Sequence, residues 1–287
     1  MIRDFIPTIW SARILSALET THVYAGVATN RNYQSAFANG GNEVKILETG
    51  NVTVSPYVEN STTVLYESPV GLESTFKLDN QNYFGIELED ISAAQSAGGN
   101  VINIYARLAA LQIADVVDKY IAGLYGSAGV VVNDGGSPIE VNAINIVSIF
   151  TLMAKKLDLK NVPQSRYAII SPAIAEKIKL CSVATLTDNT GILTNGRIGN
   201  FLGFSIAVSN NVPEASEDTN QKILFGASGA SAGITFAEQI NSVEALRNPT
   251  AFRDRLRGLH TFGAKVIQPD CVGCAYLTVV SEPEPAE

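Results

Sequence analysis

The apolar residues of this chain switch from alternating to helical spacing between residues 91 and 100, and that switch limits the fold more than any other feature. From Glu43 to Ile91 they alternate with polar ones: Val44 and Ile46, Val52 and Val54, Val64 and Tyr66, Phe76 and Leu78, then Phe84, Ile86 and Leu88. Period two is the signature of strands, whose successive side chains point to opposite faces. Turn chemistry at Gly50-Asn51, Pro56, Glu59-Asn60-Ser61 and Pro69-Val70-Gly71 interrupts the alternation, so at least one long hairpin is expected. From Asn100 to Gly126 the spacing becomes helical, first through Val101, Ile104, Tyr105, Leu108 and Leu111, then drifting to Ile113, Val117, Ile121 and Leu124. A helix of about 25 residues measures ~38 Å, enough to act as a spine with different neighbours along its two halves.

Beyond the spine, helix and strand signals alternate. Ser137-Pro138-Ile139-Glu140 has the pattern of a helix start, ahead of the run Ile144, Val147, Phe150, Ala154 and Leu157. Pro163 is expected to stop that helix, Tyr167 to Ile170 to form a buried strand, and Ser171-Pro172 to open a third helix through Leu180. Leu186 to Gly199 reads as a surface loop. Strands are expected at Phe204 to Val208, Ile223 to Phe225, Ile234 to Ala237 and Phe252 to Ile267. The first 40 residues read as an arm, with a short helix at Ser11 to Leu18, and Ser281 to Glu287 is too polar to fold alone. The fold class is α+β.

Charge narrows the function. Of 287 residues only 17% are charged, against ~25% in ordinary soluble domains, while 46% are apolar. Much of the nominal surface is therefore expected to be covered by other chains. The net charge of −8 argues against sequence-specific nucleic-acid recognition, which needs a basic face, so contact with DNA is expected to be weak and nonspecific. No apolar stretch approaches the ~18 residues that span a bilayer. Three cysteines, with no signal-like apolar core at Met1 to Pro7, point to a reducing cytoplasm.

Two motifs have a catalytic look. Gly229-Ala230-Ser231-Ala232-Gly233 matches a nucleophile elbow, with Asp254 and His260 downstream in hydrolase order. An elbow sits between a strand and a helix, whereas Ser231 is followed by the strand-like Ile234-Thr235-Phe236, so a small-residue loop is the better reading. Cys271-Val272-Gly273-Cys274, with Cys181 and His260, could make a four-ligand set, but structural zinc uses two close pairs and only one is present. Buried thiols are the better reading, and His22 stands alone. No enzyme, cofactor or metal is expected.

One charge pattern is unusual. Between Ile46 and Phe76 there is no Lys or Arg, yet Glu48, Glu59, Glu67 and Glu73 are spread along the hairpin. Far away, Arg253, Arg255 and Arg257 alternate so that a strand puts all three on one face. They read either as ordinary solvated edges or as complementary surfaces of two copies. An isolated hairpin is marginal in water, so a projecting one needs something to lie on.

Several segments, in order, resemble the major capsid protein of tailed double-stranded-DNA bacteriophages, the family with the Hong Kong 97-like fold. They are Phe5-Ile6-Pro7-Thr8-Ile9-Trp10-Ser11; Asn42 to Ile46; Leu78 to Phe84 through Glu89-Asp90-Ile91 with Gln95; Leu157 to Pro163 with Arg166-Tyr167 and Ser171-Pro172; Gly203-Phe204 with Val208 to Pro213; and Arg257 to His260 with Phe262 to Pro269. The resemblance implies an N-terminal arm (1–41), an extended loop with flanking strands (42–91), a peripheral domain with the spine helix (92–135), an axial domain (136–240), closing peripheral strands (241–280) and an acidic tail (281–287). It implies hexamers and pentamers of an icosahedral shell around the phage genome, in the virion, assembled in the bacterial host cytoplasm. The partners implied are further copies of the chain and a portal, with no membrane. The short arm points to a separate scaffolding protein, and the Lys-free stretch argues against the loop crosslink of some members. Two alternatives share part of the pattern: an encapsulin-like nanocompartment shell and, more distantly, a serine hydrolase through Ser231.

Overall fold

The computed structural model describes residues 22–37, 41, 43–49, 54, 56, 59, 66, 71–89, 101–133, 135–181, 199–214, 220–248, 250 and 253–280. The expected helix at Ser11 to Leu18, nearly all of the loop at Leu186 to Gly199, and the tail from Ser281 lie outside them.

The described chain opens with a short helix α1 (Tyr24–Val27), a two-residue strand β1 (Thr29–Asn30) and a second short helix α2 (Gln34–Phe37). Strands β2 (Glu43–Thr49) and β3 (Gly71–Lys77) then pair antiparallel, from Glu43 opposite Lys77 to Thr49 opposite Gly71. After only Leu78-Asp79 the chain re-enters extended geometry as β4 (Asn80–Glu89), where Asn82, Phe84 and Ile86 are half-buried and Gln81, Tyr83, Gly85 and Glu87 exposed. Between the two paired strands, Val54 and Tyr66 are almost fully exposed. The period-two expectation thus identified three strands.

The spine is α3 (Val101–Ala122), which has neither Gly nor Pro and ends where Gly123 begins a 3-10 turn. Its buried stripe is Ala110, Ile113, Ala114, Val117 and Ile121. Tyr105, Leu108 and Leu111, expected on the buried stripe, are instead exposed, because the helix beds onto the protein through its C-terminal half.

Strands β5 (Val130–Val132) and β6 (Ile139–Val141) follow, and here the sequence reading needs correcting. Ser137-Pro138-Ile139-Glu140 does not start a helix, because Ile139–Val141 is captured as a parallel partner of the last strand. The helix α4 (Ile146–Asp158) begins later, where Asn142 Oδ1 accepts hydrogen bonds from the backbone N–H groups of Ile144 and Asn145. Its buried face is Ile146, Ile149, Phe150, Met153 and Leu157, and Ile144 is exposed. It stops before Pro163: Asn161 takes a left-handed φ of 54° and Val162 N–H bonds Leu157 O, closing the last turn. Strand β7 (Arg166–Ile170) is wholly buried, and α5 (Pro172–Leu180) starts as expected, with Ser171 Oγ accepting from Ile174 N–H.

The remaining strands are β8 (Asn200–Phe201), β9 (Phe204–Val208), β10 (Gln221–Ala227), β11 (Ile234–Arg247), β12 (Arg253–Val266) and β13 (Val272–Val279). One sheet has seven strands in the order β5-β13-β10-β7-β9-β8, with β6 also on β13; another has four, β1-β11-β12-β4. The central strands β7 and β10 of the larger sheet are buried on both faces. Ala168, Ile170 and Phe225 point into the core under α4 and α5. Tyr167, Ile169 and Leu224 point into a second core shared with α3 and with Phe236 and Phe262 of the smaller sheet. The boundary expected after residue 240 falls inside β11, and β13 lies in the larger sheet rather than beside β12. No helix of the described residues is long and apolar enough to cross a membrane.

Candidate functional site

Pairing β12 between β11 and β4 gives the smaller sheet two unlike faces. Gly258, His260, Phe262 and Ala264 point toward α3 and are buried. Gly258 is required there, since a Cβ at that position would lie 2.4 Å from the Phe84 ring. Arg253, Arg255 and Arg257 fall on the outward face, all exposed, as the alternation predicts.

Across the strands the arginines meet acids that sequence reading missed. Arg255 Nε donates to Glu87 Oε1 at 3.2 Å, and Arg253 Nη1 lies 3.9 Å from Glu87 Oε2. Arg257 Nε donates to Glu244 Oε2 at 2.7 Å. The hydrogen bond from Asn248 Nδ2, with the help of Arg255 and Arg253, holds the Glu87 carboxyl below the usual carboxylate range. Tyr83 and Leu246, on the same face, are 86% and 44% exposed. Arginine and tyrosine beside an apolar side chain is a composition favoured where protein partners dock.

The hairpin acids are elsewhere. Glu73 on β3 is exposed and has Lys45 of β2 at 3.3 Å, and Glu43 has Lys77 at the same distance. Glu59 is exposed in a turn, the Glu48 backbone is in β2 opposite Leu72, and Glu67 lies outside the described residues. The structure brings the three arginines together. Among the described residues, Glu87 pairs with Arg253 and Arg255, and Glu244 pairs with Arg257.

The inward face carries a charge cluster that sequence reading did not anticipate. His22, expected to stand alone, has Asp118 of α3 at 3.7 Å and Glu238 of β11 at 3.4 Å. Glu238 also takes Arg31 Nη2 at 2.9 Å and His260 Nε2 at 3.2 Å. Asp118 accepts backbone hydrogen bonds from Val23, Tyr24 and Ala25, fixing the start of α1. Burial by itself would lower the pKa of the His22 imidazole, but the Asp118 and Glu238 carboxylates outweigh it and raise the pKa to about 9. Burial would likewise raise Glu238, and His22, His260 and Arg31 instead hold it well below the ordinary carboxylate range. No local pattern could have revealed this set, because its members come from four separate segments.

The catalytic-looking motifs do not assemble. Ser231 is exposed in a 3-10 turn that leads into β11, not into a helix. Ile234 pairs with Val266 and Ile240 with His260, so six strand positions, about 20 Å, separate the start of β11 from His260. Asp254, opposite Arg247, is farther along. Burial pushes the Cys274 thiol up to about 12 and raises Cys271, a shift away from the thiolate that redox or metal chemistry needs. His260 is engaged by Glu238 within the four-stranded sheet, away from the cysteines of β13, and no group of three or more metal-ligating side chains is placed to hold an ion among the described residues.

A paired hairpin beside a spine helix and a strand-rich body defines the Hong Kong 97-like shell-subunit fold, and known structures agree. The chain resembles one from Mycobacterium phage Che8 at 27% identity and TM-score 0.69, covering 88% of this chain and 90% of that one. It resembles the capsid of cyanophage P-SCSP1u at 15% identity and TM-score 0.67 (88% and 86% covered). It also resembles the mature capsid of bacteriophage PhiM1 at 13% identity and TM-score 0.63 (91% and 88% covered). No curated protein matches the chain. The family model described as phage capsid protein matches residues 73–275, well over half of the chain. The chain belongs to the phage capsid protein family and is a major capsid protein that forms the shell.

Proposed function

We propose that the chain builds hexamers and pentamers of an icosahedral phage head around double-stranded DNA, and that its hairpin is the main reach between neighbours. The observation that carries this is the β2–β3 pair, which joins neither of the larger sheets by strand pairing among the described residues. Such a pair is marginal in water unless something covers it. Closed rings require heterologous contacts, and a hairpin laid on the next copy supplies one. The seven-stranded layer is read as the axial part and the spine with the four-stranded sheet as the peripheral part. The role is structural, not enzymatic. A separate scaffolding protein and a portal complete the assembly, which takes place in the host cytoplasm, and DNA is met only nonspecifically.

The hairpin acids Glu48, Glu59, Glu67 and Glu73 are proposed to dock on the Arg253, Arg255 and Arg257 face of the adjacent copy. Their opposite sign and the exposure of the arginine face support this. Electron microscopy of the chain expressed alone and with its genomic neighbours tests the shell reading. Closed particles are expected in at least one case, and compact monomers in both would refute it. Host enzymes inside shells made without a portal would favour the encapsulin-like alternative.

A further inference from the structure

The two-stranded hairpin meets the four-stranded sheet at a small, well-defined root. The Lys77-Leu78 backbone passes so close over β12 that a Cβ on Gly263 would lie 2.2 Å from Lys77 O and 3.1 Å from Lys77 C. Two residues on, and on the same face, Lys265 Nζ donates to Ser74 Oγ at 2.7 Å and to Thr75 O at 2.8 Å. From the other side α2 is wedged in. Its Gln34 accepts from Glu238 N–H at 3.0 Å and donates to Glu238 O, while Phe37 packs edge-on against Phe76 of β3 at 5.3 Å. Phe37, Ile46, Phe76, Leu78 and Ala237 form a separate buried cluster around these contacts.

We infer that this bracket, with Gly263 and Lys265 as its positioning residues, sets the angle at which the hairpin leaves the body and thereby the curvature of the shell. The inference rests on the hairpin being an intersubunit reach. Three supports acting from different directions leave little freedom to tilt: a backbone contact that only glycine permits, an ammonium tied to two points of β3, and an aromatic wedge. The leverage is large. Seven paired residues extend about 23 Å, so a tilt of ~10° at the root moves the far end by about 4 Å, enough to break the register of a docked strand. A heterologous contact closes into a ring or shell only if its rotation is right, so a change at the root is read out as geometry rather than as stability.

The test compares the full chain with Lys265→Met, Lys265→Arg and Gly263→Ala. Unfolding of unassembled subunits is followed alongside particle diameter by electron microscopy. Lys265→Met, which keeps the apolar stem but not the donors, is expected to unfold within a few degrees of wild type while giving a broadened or shifted diameter distribution, or open sheets. Lys265→Arg, which still donates, should restore the single wild-type diameter. Gly263→Ala should shift the diameter further, because backbone must move to admit the methyl. Lys265→Met and Gly263→Ala shells with the wild-type diameter and yield would overturn the inference while leaving the shell reading intact. Failure of the wild type to form shells would instead strike the reading on which it rests.

Discussion

The two faces of the four-stranded sheet carry the same kinds of charge on the same strands and put them to different uses. Inward, His22, Arg31, Asp118, Glu238 and His260 form a cluster whose Glu238 side chain is 1% exposed. Outward, Arg253, Arg255 and Arg257 face Glu87 and Glu244 in partial contact with water. A buried charge that loses its partner cannot be solvated, so removing one member costs about 3–5 kcal/mol, whereas exposed pairs are worth roughly 0–1 kcal/mol. The inward set therefore holds the chain together, whereas the outward set contributes little to folding, as its proposed docking role requires.

Cutting the inward cluster should have the largest effect. Glu238→Ala would leave Arg31 and a charged His22 without their shared carboxylate, and unassembled subunits should lose about 3–5 kcal/mol in denaturant unfolding. A loss below about 1 kcal/mol would make the two faces equivalent. Next comes pH. The His22 pKa is raised in the folded chain from an ordinary 6.5 to about 9. Its contribution, on the order of 3 kcal/mol, is therefore complete below pH ~6.5 and lost as pH rises through about 9. Unfolding midpoints between those limits should fall, and His22→Gln should flatten the fall. Glu238 has the opposite sign: its depressed pKa gives stability that is present above the ordinary carboxylate range and lost in stronger acid. The smallest effect is expected outward, where Glu244→Gln removes an exposed partner of Arg257 and should change unfolding by less than about 1 kcal/mol.

Much of the fold was legible because it is local. The alternation of Phe84 and Ile86, the Ser171-Pro172 helix start and the spacing of Ile113, Val117 and Ile121 each declare an element within a few residues. The helix start misread at Ser137 shows the limit, since parallel pairing with a strand over a hundred residues later overrode a sound capping pattern. The arginine face was readable from period two alone, but its partners Glu87 and Glu244 depend on strand register, which composition does not carry. The buried cluster and the hairpin root were out of reach for the same reason. His22, Asp118 and Glu238 belong to three segments brought together only by tertiary packing, and Gly263 looks like any other glycine until Lys77 lies across it. The low charged content pointed to hidden surface without saying where. The outward sheet face, with exposed Tyr83 and Leu246 among its arginines, is the place proposed for it.

Arg255→Glu, with stability and assembly measured on one preparation, separates an outward face that serves assembly from one that serves folding. The predicted result is an unfolding midpoint close to wild type together with loss of closed particles in electron micrographs, partly restored by adding Glu67→Arg or Glu73→Arg. Wild-type shells from Arg255→Glu, indifferent also to the hairpin reversals, would contradict it.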